Sequence, residues 1–341
     1  MNGKASSAWL RLAAALEWRE RMVFLALALL FAAVSAANPR FASPANVLSI
    51  LGDSSYIGIA AIGMTLCIIY GAFDLSVGAL LAFLGVVAVI WAPRLQPAVG
   101  TVGFLTAIMA IGAVCGLANG ALVAGLRIPA FIATLGMMYV YRGAAFLVSG
   151  GKDQRLADDW FLALANREAA GVPVVFLVFL ALVAAGTLFL NRHPLGRRIQ
   201  AVGNSPAAAR AAGIPVRRTT LTVFALVGLS TAIAAVLQAS LLRGAQPGRG
   251  TEFELYVIAT VVLGGTSLAG GKGSVINTAA AAILLATLQS AFSFLAVSSY
   301  LQKVIVGGVL LAAFSMNYLR GKVEQWRTRR TGLSRKGSGS A

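Results

Sequence analysis

An all-α, polytopic membrane protein with about ten transmembrane helices is the fold class the sequence predicts, and three observations predict it. Of 341 residues, 58% are hydrophobic and 11% are charged, whereas soluble domains carry about 25% charged residues. The mean hydropathy is +0.82. The apolar residues fall into runs long enough for tilted spans, which need about 17 to 25 residues, and the charges gather between those runs.

Taken in order, the spans fall at 22–37, 47–70, 74–92, 100–125, 128–150, 172–191, 219–242, 253–263, 274–295 and 300–319. The first ends at Asn38-Pro39 on VSAA, as a cleavable signal would. A long preceding segment with Trp9, Trp18 and acidic residues instead marks it as an uncleaved span. The eighth is the shortest, because Gly264-Gly265 cuts its apolar run. Residues 1–21 form a cytoplasmic N-terminal segment, 22–319 the transmembrane domain, and 320–341, ending in SRKGSGSA, a disordered tail.

The charges test the count independently. A net charge of +17 suggests nucleic acid, but most of the positive residues sit in the first 21 residues, at 191–218 and after Leu319. That is the distribution of cytoplasmic segments in a bacterial inner-membrane protein. Segment 151–171 carries Lys152, Arg155 and Arg167 against Asp153, Asp158, Asp159 and Glu168; it reads as outside. Five spans before it and four after the 191–218 loop leave both termini cytoplasmic. The two cysteines, Cys67 and Cys115, lie in apolar runs and read as core residues, and the single histidine, His193, has no metal-ligand spacing around it.

The basic loop, NRHPLGRRIQAVGNSPAAARAAGIPVRR, contains six arginines and no acid. Within it lies a capped helix at 204–213: Asn204 leads in, Ser205 is the N-cap, Pro206 suits the first helical position, Ala207, Ala208 and Arg210 favour helix, and Gly213 suits the left-handed C′ position. Two turns of helix are marginal alone in water. The helix is therefore expected to pack against the spans or against another protein.

Two places interrupt the apolar texture, GAFDLSVG at 71–78 and LGGTSLAGGKG at 263–273. Asp74 and Lys272 should face protein or water, since a charge near mid-bilayer costs about 3 kcal/mol on insertion scales. Asp74 reads either as the N-cap of the third span or as a group beside a transport path, with Ser76 next to it. Lys272 reads either as a snorkelling charge or as a path residue paired with Asp74 near the cytoplasmic mouth. GGK is not a phosphate-binding loop, because Thr266 and Gly273 stand where that motif needs Gly and Ser or Thr. The two interruptions are faintly alike, and paired broken helices point to a transport path. Segment 243–254, RGAQPGRGTEFE, which ends in Glu254, reads as a solvated outside turn or a docking surface.

Four stretches carry a resemblance: GMTLCIIYGAFDLSVGALLAF (63–83), IPAFIATLGMMYVYRG (128–143), LGRRIQAVGNSPAAARAAGIPV (195–216) and ELYVIATVVLGGTSLAGGKG (254–273). In this order they resemble the permease subunit of bacterial monosaccharide ABC importers, the ribose, xylose, arabinose and galactose group. The chain departs from that group at Phe73, where Ile is frequent, and at Tyr256, where Asp is frequent. The resemblance implies a type II importer permease that pairs with a second permease subunit, docks ABC-type ATPase subunits and receives a sugar from a periplasmic binding protein. ATP and Mg would be used by the partner, with no cofactor in this chain. It also implies that Asn204, Ser205, Pro206, Ala207, Ala208, Arg210 and Gly213 contact the ATPase. The interrupted segments and their charges, read on their own, make Asp74, Ser76, Glu254 and Lys272 the candidates for the path. Two other classes share the composition. An ion-coupled carrier would keep ionisable groups deep in its spans, and an intramembrane enzyme would need a convergent Ser/Lys, Asp pair or His set, which the sequence lacks.

Overall fold

The computed structural model describes residues 19–156, 158–309, 311, 312 and 315. The N-terminal segment before residue 19 and the tail at 320–341 lie outside them.

Helix α1, Arg19–Ala37, is followed by a 3-10 turn at Pro39–Ala42, where Asn38 Oδ1 accepts from the Arg40 N–H. Helix α2, Pro44–Tyr70, begins with proline in its first turn and Ser43 capping Asn46. From Ile57 to Ile69 every residue of α2 is buried. Such all-round burial marks the centre of the bundle. The long helix α3, Val77–Ala124, has a kink at Gly100, where φ is 72°, beyond Pro93 and Pro97. Its two arms fold back on each other so that Leu84 reaches Gly112. The third and fourth spans of the sequence are therefore the arms of one hairpin.

The second arm of α3 presents Gly112, Gly116 and Gly120 at four-residue spacing to helix α9, Val216–Leu241. A Cβ on Gly116 would lie 2.1 Å from the Phe224 carbonyl oxygen, and one on Gly228 would lie 2.0 Å from that of Gly112. Lipid offers no hydrophobic drive for helix pairing, so this backbone-to-backbone approach supplies the packing. Around α2, α3 and α9 stand α4, Ala130–Ser149, and α6, Val174–Arg192. Helix α10, Phe253–Leu263, α11, Val275–Phe294, and a helix at 299–309 complete the bundle.

Six described helices are long and apolar enough to span, and two more are shorter and apolar. With α3 counted as two arms and the 299–309 helix added, ten apolar segments result, as the sequence predicts. The eighth differs in kind: 11 residues of α10 rise about 16 Å, roughly half of a ~30 Å hydrocarbon core.

Two loops carry structure that periodicity did not foretell. Segment 151–171 contains helix α5, Asp159–Asn166, preceded by β1, Gln154–Arg155, and followed by a hairpin of β2, Glu168–Ala169, with β3, Val172–Pro173. β1 pairs antiparallel with β4, Gly244–Ala245. α5 docks on the end of α9, where Ser240 Oγ donates to the Phe161 carbonyl and accepts from the Ala165 N–H. In the basic loop, helix α7, Pro194–Asn204, precedes helix α8, Pro206–Ala211.

The glycine seam yields a test. Gly116→Val should destabilise the protein by about 1–3 kcal/mol, read as a lower melting temperature in detergent. An unchanged melting temperature would show that the α3–α9 approach is not tight.

Candidate functional site

The capped alanine helix forms as its sequence dictates. Ser205 Oγ accepts from the Ala208 N–H at 3.2 Å, Pro206 opens α8, and Gly213 closes the segment with φ 77°. Only Ala209 is buried; Pro206, Ala207, Ala208, Arg210 and Ala211 are exposed. α8 thus anchors one side chain and offers the rest of its surface outward. Asn204 is the last residue of α7, which sequence reading missed because Gly196 and Gly203 weaken its helical pattern.

Those glycines are there because backbone passes where a side chain would stand. A Cβ on Gly196 would lie 2.3 Å from the Phe189 carbonyl oxygen, which folds α7 tightly against the end of α6. A Cβ on Gly203 would lie 1.8 Å from the Ile69 carbonyl oxygen and 2.7 Å from the Gly271 nitrogen. That same Gly271 N–H donates to the Ile69 carbonyl at 2.8 Å. The hinge between α7 and α8, the end of α2 and the 263–273 glycine turn therefore meet at one point. Nearby, Tyr70 Oη and Thr220 Oγ1 are 2.7 Å apart, tying the last residue of α2 to α9.

Past this junction α2 stops at Gly71, whose φ is 95°, and six residues run to Val77 without regular helix. In hydrocarbon such a break must find its hydrogen bonds within the protein. Asp74 provides them. Its Oδ1 accepts from the Ser76 N–H at 2.9 Å and from Ser76 Oγ at 2.6 Å, and its Oδ2 accepts from Asn119 Nδ2 at 3.0 Å. Asn119 also donates to Ser76 Oγ, and Tyr141 Oη donates to Asn119 Oδ1 at 3.0 Å. Thr134 Oγ1 accepts from the Leu75 N–H. Asp74, Ser76, Asn119 and Thr134 are fully buried.

The N-cap reading of Asp74 is corrected by this geometry. Ser76 occupies the N-cap position of α3 without a side-chain cap bond, and α3 starts at Val77, three residues later than the predicted span. Asp74 instead closes a local turn and joins it to the far arm of α3 and, through Tyr141, to α4. Nor do its bonds come from Lys272: the partners of Asp74 are Ser76 and Asn119, and Lys272 is an exposed residue of the glycine turn.

Glu254 is not in a solvated turn either. It lies in the first turn of α10, half-buried, with Oε2 only 2.4 Å from where a Cβ of Gly78 would stand. Gly78 and Gly250 cross backbone to backbone: a Cβ on either would come within 2.4 Å of the other's carbonyl oxygen. Two non-helical segments, 71–76 and 243–252, thus meet at the N-terminal ends of α3 and α10. Converging helix N-termini at paired breaks are the arrangement of transport sites. Arg142 of α4 fixes the second segment, donating through Nη1 to the carbonyls of Pro247, at 2.8 Å, and Arg249. Sequence reading assigned Arg142 no role; an arginine within the apolar 130–149 run was the available signal. The ring of Tyr56 stacks on Phe253 at 6.1 Å beside this crossing.

Asp74→Ala should leave the Ser76 N–H and hydroxyl without their acceptor and take one of the two acceptors from the Asn119 amide. A loss of roughly 1–3 kcal/mol per buried unsatisfied donor follows, measurable as reduced thermal stability. A variant as stable as the parent would refute the role given to Asp74.

The comparisons agree with this architecture. The family described as branched-chain amino acid transport system / permease component matches residues 46–314. The ribose import permease protein of Escherichia coli is 38% identical over 298 residues, covering 86% of this chain and 92% of the relative. The L-arabinose transport system permease protein of the same organism is 34% identical over 316 residues, covering 90% and 93%. The L-arabinose ABC transporter permease protein of Azospirillum brasilense is 36% identical over 300 residues, covering 88% and 86%. No solved structure matches the chain. Matched over most of its length to membrane permeases of the group its sequence resembles, the chain belongs to the family of branched-chain amino acid transport system permease components.

Proposed function

We propose that this chain is the permease subunit of an ATP-driven importer that carries a monosaccharide from the periplasm to the cytoplasm of a bacterium. The observation that carries the reading is α8: a short capped helix with one buried residue and an otherwise exposed surface, which follows directly on the end of α7, where Gly203 meets Ile69 and Gly271. A helix this short and this exposed is suited to a groove in another protein. The named substrates of the relatives, ribose and L-arabinose, support the monosaccharide class.

In this reading an ABC-type ATPase binds ATP and Mg and grips α8 through Ser205, Pro206, Ala207, Ala208 and Arg210. The permease contributes no nucleotide site. A second permease subunit completes the path, and a periplasmic sugar-binding protein delivers the solute. Both termini lie in the cytoplasm with the basic loop. The ATPase shifts the permease between outward- and inward-open states only through differential contact with them. α8 passes that difference to the end of α2, and the rigid Asp74 turn passes it on to the Gly78–Gly250 crossing. An ion-coupled carrier is the alternative, and the buried Asp74 is the feature it would use; the neutral hydrogen-bond partners of Asp74 fit a fixed turn better than a moving proton.

Uptake into membrane vesicles should require ATP, the ATPase and the binding protein, and dissipating ion gradients should leave it intact. Uptake driven by an ion gradient without ATP would establish the carrier reading instead. Ala208→Arg, on the exposed face, should leave stability within about 0.5 kcal/mol yet lower ATP-driven uptake at least about tenfold, ~1.4 kcal/mol of lost coupling. Normal uptake by that variant would remove α8 from the mechanism.

A further inference from the structure

The β1–β4 ladder frames a cleft of about 440 Å³ between segments 153–156 and 242–249, within the size range of small-ligand sites, roughly 300–1,000 Å³. Its charged lining is Asp153, Arg155, Arg243 and Arg249. Asp153 is already engaged: Gln246 Nε2 donates to its Oδ2 at 2.7 Å. The same amide turns its oxygen to Arg249, whose Nη2 donates to Oε1 at 3.0 Å. This relay fixes the Arg249 guanidinium, yet its Nε is buried without an acceptor among the described residues. Arg155 and Arg243 are exposed and form no ion pair among the described residues. Arg243 is held in a left-handed backbone conformation, φ 55°, while its carbonyl accepts from the Leu156 N–H. A non-glycine residue in that conformation costs on the order of 1–3 kcal/mol and persists where the surroundings over-determine it.

Three arginines thus line the cleft with one carboxylate that an amide already occupies, and the cleft has a surplus of positive charge. Guanidinium groups donate only. The partner that matches them is a carboxylate, bound bidentately, with hydroxyl oxygens as further acceptors. The cleft also adjoins the crossing of the two broken helices: Arg249 precedes Gly250, which touches Gly78, and the Arg249 carbonyl is held by Arg142.

We propose that this cleft is an outer binding subsite for a monosaccharide that carries a carboxylate, a sugar acid. That the bound solute is also the transported one rests on the importer reading; the binding itself does not.

The test is a titration of the purified full-length chain with D-gluconate and with D-glucose, followed by calorimetry or saturation-transfer NMR, at low salt and at about 0.2 M salt. Gluconate should bind, glucose at least about tenfold more weakly, and salt should weaken gluconate. The double variant Arg155→Gln, Arg243→Gln should lower gluconate affinity at least about tenfold with an unchanged melting temperature. Arg249→Lys, which keeps the charge but removes the planar guanidinium fork, should lower it as well. Equal binding of the two sugars, no binding of either, or gluconate binding unaltered in the double variant would overturn the proposal. Each of those results leaves the importer reading untouched, because that reading stands or falls on the ATP requirement of uptake.

Discussion

The contact of Gly203 with the Ile69 carbonyl and the Gly271 nitrogen is the constraint on which the remaining geometry depends. Three segments distant in sequence, the basic loop, the end of α2 and the turn after α10, are held at backbone contact, with the Gly271 N–H bonded to Ile69 at 2.8 Å. A side chain at residue 203 would separate them. Because interiors are close-packed and bistable rather than compliant, a displacement of α7 and α8 must be taken up by the end of α2 and by the glycine turn together.

From that junction the chain enters its first break, and the buried carboxylate of Asp74 makes the break rigid. A carboxylate excluded from water is costly unless hydrogen-bonded. Here its cost is offset by the Ser76 N–H, the Ser76 hydroxyl and the Asn119 amide, in a network that extends to Tyr141 on α4. The break is thus bonded to both arms of α3 and to a neighbouring helix, and it ends at Gly78. There it meets a second break, which Arg142 and the β1–β4 ladder hold from the other side. A charged residue stabilises each non-helical segment, Asp74 the first and Arg142 the second.

Sequence reading reached the bundle because span length and charge parity are local signals that lipid enforces. It also reached α8, because Ser205, Pro206 and Gly213 are cap signals that need no tertiary information. It missed α7, whose two glycines lower helical propensity and are explained only by the backbone they touch. It also missed α5, which is stabilised by docking on Ser240. The cap reading of Asp74 fails because an Asp just before an apolar run has the pattern of a cap, whereas one of its actual partners, Asn119, is 45 residues away. The contact of Glu254 with Gly78 joins the two halves of the chain and has no sequence signature, so the sequence of 243–254 signals only a turn or a docking surface.

If the mechanical link holds, α8 and the Gly78–Gly250 crossing move together. The direct measurement is the distance between spin labels at Ala211, on the exposed face of α8, and Gly248, in the second break, in the complex assembled with its ATPase and lacking Cys67 and Cys115. ATP binding should shift that distance distribution, and replacing Gly203 by alanine should abolish the shift while both labels remain ordered. A distribution unchanged by ATP in a complex that still transports would contradict the mechanical link.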